Sequence, residues 1–107
     1  MGVCYYLVNR KTKETFELNK FSPAPAVKWD QLDKEPEKLA FDIHKEYLNV
    51  GNPNFDYQWC LSLVSYMRLC FTNRTGFEIL TEMPDDPMEA AAYTLVGTRF
   101  DSFKGQS

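Results

Sequence analysis

Residues 56–71, DYQWCLSLVSYMRLCF, constrain this chain more than any other stretch. Wound at 100° per residue, Trp59, Cys60, Leu63, Val64, Tyr66, Met67, Cys70 and Phe71 fall on one continuous arc. Gln58, Ser62, Ser65 and Arg68 gather opposite, with Leu61 and Leu69 intruding among them. A period of two also gives a mostly apolar face, so length has to decide. Sixteen residues suit a helix, whereas strands usually stop near ~5–6 residues. Asp56 is placed to cap its start, and Asn73 to Gly76 supply the stop. The two intruding leucines predict a helix covered on more than one side. Such a helix is scaffold, and it carries no chemistry.

The rest of the chain must build around it. A length of 107 residues is that of one domain, 1–107, able to bury roughly 60–70% of its unfolded surface without metal or disulfide staples. Hydrophobic content of 44% and aromatic content of 15% are those of a folded protein. The formal net charge of −3, with scattered Lys and Arg, argues against direct nucleic-acid binding, which needs clustered cations. Cys60 and Cys70 lie ten residues apart on the helix, ~15 Å of rise, too far for a disulfide. With Cys4 they read as reduced apolar fillers of a cytoplasmic protein. No apolar run reaches the ~18–20 residues of a membrane span, and the N-terminus lacks a signal-peptide pattern.

Residues 3–9 and 14–18 read as two strands, joined by the polar Arg10-Lys11-Thr12-Lys13 as an antiparallel hairpin. Residues 19–31 carry Pro23 and Pro25 and no period, so they form a loop in which Phe21, Val27 and Trp29 anchor onto the core. Residues 33–48 predict a first helix, capped by Asp33 or Glu35, with Pro36 in the tolerated first turn. Its apolar arc is Leu39, Ala40, Phe41, Ile43, Tyr47 and Leu48. Gly51 and Pro53 end it and make an αα-hairpin with the central helix. Residues 77–82 alternate as a third strand, 83–88 make a turn, and 87–91 add a helical turn. Residues 93–101 are a fourth strand in which Gly97 marks a bulge or a close backbone approach, and 104–107 fray. The fold class is therefore α+β: an antiparallel four-stranded sheet, element order β-β-α-α-β-β, with a helix pair packed on one face.

Chemistry is harder to find. His44 is the only histidine, set in the middle of the first helix's apolar arc. It reads as a partly buried structural histidine, or as a base paired with Cys60, Cys70 or an acid in a small hydrolase or transferase. No cysteine-hydrolase pattern flanks the cysteines, and the cysteine and histidine spacing gives no zinc set. The five glycines never fall within the spacing of a phosphate cradle, so no cofactor is expected. The acids sit in polar turns and helix starts, where solvated or capping carboxylates are the norm.

A contact surface is the remaining handle. Glu82, Asp85, Asp86 and Glu89 form one acidic group, Asp30 and Asp33 open a second that runs to Glu37, and beside them stand aromatics with no core period, Phe21, Trp29, Phe55 and Tyr57. Acids that steer and rings that anchor are the usual parts of an interface with a basic protein. The opening Gly2-Val3-Cys4-Tyr5-Tyr6-Leu7-Val8-Asn9, the segment Glu14-Thr15-Phe16-Glu17-Leu18 and the late Tyr93-Thr94-Leu95-Val96-Gly97-Thr98-Arg99-Phe100 resemble pieces of small single-domain bacterial proteins of the toxin-immunity type. Asn19-Lys20 stands where that group has Gly-Lys. The resemblance covers about a quarter of the chain and implies a protein-binding inhibitor that covers the active or substrate-binding surface of a basic toxin domain. A third reading is a homo-oligomer whose exposed sheet edge pairs with itself.

Overall fold

A computed structural model describes residues 3–81 and 92–100. In chain order its elements are β1 (Tyr5–Asn9), β2 (Glu14–Asn19), α1 (Gln31–Lys34), α2 (Pro36–Asn49), α3 (Tyr57–Cys70), β3 (Phe77–Thr81) and β4 (Thr94–Thr98). The α+β class and the β-β-α-α-β-β order stand, with α1 added as a short helix before the pair.

The central helix forms for the reasons its sequence gives. The Asp56 carboxylate accepts from the Trp59 backbone N–H at 2.8 Å, a direct N-cap. Cys60, Leu63, Val64 and Met67 are buried on its inner face, against Leu39, Ala40, Ile43 and Tyr47 of α2 and Leu7 and Phe16 of the sheet. Truncating one of these leucines to alanine removes about 2–5 kcal/mol. The two intruding leucines part ways: Leu61 packs half-buried against the core, as a second covered side requires, whereas Leu69 is 79% exposed. On α2, Phe41 and Leu48 likewise lie outside the core at 56% and 53% exposure.

The predicted first helix is broken in two. Glu35 sits at φ −137° and ψ 67°, since the ring of Pro36 disfavours the α region for the residue before it. Pro36 then opens α2, where its missing N–H costs nothing. Neither Asp33 nor Glu35 makes a side-chain cap; Glu35 holds the N-cap position through backbone alone. The loop between β2 and α1 is folded by turns, and Phe21, Val27 and Trp29 are all buried in it. The Trp29 indole donates to the Ala24 carbonyl at 2.8 Å, which pins the loop to itself.

The sheet order is β3-β1-β2-β4. β1 pairs antiparallel with β2 and with β3, as expected, but β4 pairs with β2 in parallel. The all-antiparallel sheet is therefore corrected to a mixed one. Period-two alternation assigns each strand its buried face; it does not name a strand's neighbour or direction. Because β3 takes the free edge of β1, β4 is left to the opposite edge, and the two strands are not a hairpin. The predicted turn at 83–88 and helical turn at 87–91 lie outside the described residues.

Gly97 satisfies both expectations placed on it. The β2–β4 register shifts between Thr15 and Phe16, leaving Val96 as the extra residue. A Cβ at Gly97 would meet the Cys70 sulfur at 2.7 Å and the Phe16 ring at 3.0 Å. The sheet can approach α3 this closely only where no side chain intervenes.

Candidate functional site

Three groupings of polar or reactive side chains stand out among the described residues. The first lies where α1 meets the end of α3. The Arg68 guanidinium donates to the Leu32 carbonyl and, at 3.1 Å, to that of Asp33, so it caps the open end of α1 from a neighbouring helix. This bond holds the last turn of α3, with exposed Leu69, at the same end of the helical layer as Asp30 and Asp33. Asp30 is exposed and makes no side-chain cap; Asp33 is half-buried. Between residues 28 and 38 four acids face three lysines, and Arg68 brings a fourth cation, so the formal charge here is balanced. A shallow groove of about 380 Å³ crosses Lys34, Pro36 and Lys38 at the break between the helices.

The second is a buried aromatic nest. Tyr47 packs on Phe55 at 4.6 Å between ring centroids, on Phe21 at 5.6 Å and on Trp59 at 6.0 Å. Arg99 lies over the Phe21 ring at 5.9 Å and the Phe100 ring at 4.8 Å. Among the described residues the Tyr47 hydroxyl has no partner at ordinary hydrogen-bond distance. Burial pushes it up to about 12 against the pull of the Arg99 guanidinium, its electrostatic neighbour. Burial, helped by the Asp56 charge, pushes the Cys60 thiol up to about 12 as well. Cys60 is therefore a protonated core side chain and no nucleophile.

The third is a polar clamp at the turn end of the β1–β2 hairpin. Asn9 is fully buried, and its amide donates to the carbonyls of Asn73 and Thr75 at 2.6 and 2.9 Å. Its side-chain oxygen accepts from the N–H groups of Lys11 and Thr12 at 2.9 and 3.4 Å. Glu14 accepts from the Thr12 hydroxyl at 2.7 Å, the Thr72 N–H at 3.1 Å and the Thr72 hydroxyl at 2.9 Å. Burial raises the Glu14 pKa, but these three bonds outweigh it and the net shift is downward.

The residues singled out from sequence fare differently. Trp29 is only 6% exposed, so it holds the loop and does not offer a ring to a partner. Phe21 is wholly buried, and Phe55 and Tyr57 are half-buried against the core. Asp30 and Asp33 stand together on α1, while Glu82, Asp85, Asp86 and Glu89 lie outside the described residues. His44 is half-buried on α2. Cys4 donates to the Asn19 side chain at 3.2 Å, and Cys70 packs beneath Gly97. No group of three or more metal-ligating side chains forms among the described residues, and none of their helices is long and apolar enough to cross a membrane. Leu69 was missed as a surface feature. Its place among Gln58, Ser62 and Ser65 was legible, but the same spacing fits a second buried side. Compared with family models, with curated proteins and with solved structures, the chain finds no match.

Proposed function

We propose that this chain is a protein-binding inhibitor of the immunity type, which neutralises a basic toxin domain by covering its active or substrate-binding surface. The observation that carries the reading is Leu69, left 79% exposed at the end of the helical layer that also bears Asp30 and Asp33. An apolar side chain in water on the turn that Arg68 ties to α1 would supply an anchor, and the carboxylates of Asp30 and Asp33 a steering charge. The acids Glu82, Asp85, Asp86 and Glu89 add to the negative balance by sequence and belong to the same proposal.

Co-expression with the product of the neighbouring gene tests it. A tight complex should form, Leu69→Lys should weaken it by roughly 1–2 kcal/mol, and Asp30→Lys with Asp33→Lys should slow association most at low salt. A neighbouring product that is no toxin, together with unchanged binding of every captured partner by these variants, ends the reading.

A further inference from the structure

The outer side of α2 carries a row that neither the core nor the proposed inhibitor surface uses. Glu37, Phe41 and Lys45 are spaced four residues apart, all three exposed, so they form one ridge about 12 Å long. Phe41 keeps 56% of its surface in water on the side where a helix of this kind normally shows only polar residues. Leu48, 53% exposed, sits one turn further along and widens the apolar strip. Glu37 and Lys45 enter no ion pair or hydrogen bond among the described residues.

The order of this row is acid, ring, base. Under a two-fold axis through Phe41 the row becomes its own complement: Phe41 meets Phe41 of the second copy, and each Glu37 meets the opposite Lys45. We propose that a second copy of this chain docks here, giving an isologous homodimer through α2. One exposed helix face buries less than the roughly 1,200 Å² of a standard interface, so the dimer is weak and exchanges readily. The inference does not rest on the inhibitor reading, which uses Leu69, Asp30 and Asp33.

Sedimentation of the full chain from about 10 μM to 1 mM, the range in which so small an interface should associate, tests it. The mass should rise towards twice that of the monomer. Phe41→Arg should leave a monomer throughout. Glu37→Lys and Lys45→Glu should each weaken association roughly tenfold, since each turns two attractive pairs into repulsive ones, and the double variant should recover the parent affinity. All three positions are exposed, so melting temperatures should stay level and separate loss of docking from loss of fold. A monomer across the whole range, a dimer that survives Phe41→Arg, or a double variant no tighter than its parents would each overturn the proposal.

Discussion

Two places in this molecule bury polar groups, and they do it in opposite ways. At the turn end of the β1–β2 hairpin, Asn9 and Glu14 are hidden, and seven hydrogen bonds from their side chains reach the hairpin turn and the α3–β3 connection. In the aromatic nest, the Tyr47 hydroxyl is hidden among rings, with the Arg99 guanidinium as its electrostatic neighbour. The clamp fixes where two pieces of backbone lie, because each bond has a direction. The nest fixes how much apolar surface leaves water, because ring packing tolerates small rotations. The hydrophobic layer therefore sets stability, and the clamp sets register.

That contrast can be broken from the clamp side first. Asn9→Ala should cost about 3 kcal/mol or more by urea unfolding, since it strands two backbone carbonyls and two N–H groups. A loss below about 1 kcal/mol would mean that water replaces the amide, and that the clamp does not set register.

Glu14→Gln should cost less, about 1–2 kcal/mol, because the amide oxygen retains some of the accepted bonds. Its pH signature is sharper than its size. The native pKa is lowered from 4.5, so Glu14 contributes its full stability above that value and loses it as pH falls through the native pKa. The parent chain should lose stability in that window, and the Gln variant should lose less.

The smallest effect belongs to the nest. Tyr47→Phe should change stability by no more than about 1 kcal/mol near neutral pH, since the hydroxyl removed faces the Arg99 guanidinium without a well-formed bond to it. At alkaline pH the sign is fixed by linkage. Tyr47 is raised from 10.0 to about 12, so its contribution is complete below 10 and is lost as pH rises towards 12. The Phe variant should resist alkali better than the parent by melting temperature at pH 11. Equal resistance would show that the hydroxyl is not buried in solution.

Much of this was legible beforehand, in the parts governed by local rules. Asp56 was read as a cap and is one; Phe21, Val27 and Trp29 were read as loop anchors and are buried. Gly97 was placed at a bulge or close approach and serves as both. Asn19, which ends β2, has φ +54°, a left-handed conformation that Asn tolerates better than most residues. The rest failed where one pattern admits two environments. Phe41, Leu48 and Leu69 have helical spacing, but spacing cannot distinguish a second buried side from an unpartnered one. The parallel pairing of β2 with β4 is decided by which edge of the sheet remained open, and no residue of either strand encodes that alone. For the candidate surface, Asp30 and Asp33 were named in advance. Trp29, named with them, is withdrawn beneath its own loop by the bond to Ala24.

The position of β4 has a consequence for how the chain is made. Thr94 pairs with Glu14, 80 residues earlier in the chain (94 − 14), so β4 closes onto a neighbour completed long before it. During elongation at a ribosome, the three helices and the three other strands emerge while the outer border of β2 still lacks its mate. That border, with Phe16 beside the cleft Gly97 will fill, is a template for any extended polypeptide in the meantime. Crowded nascent chains would therefore mispair at this border before anywhere else, and the final strand acts as a late-arriving guard.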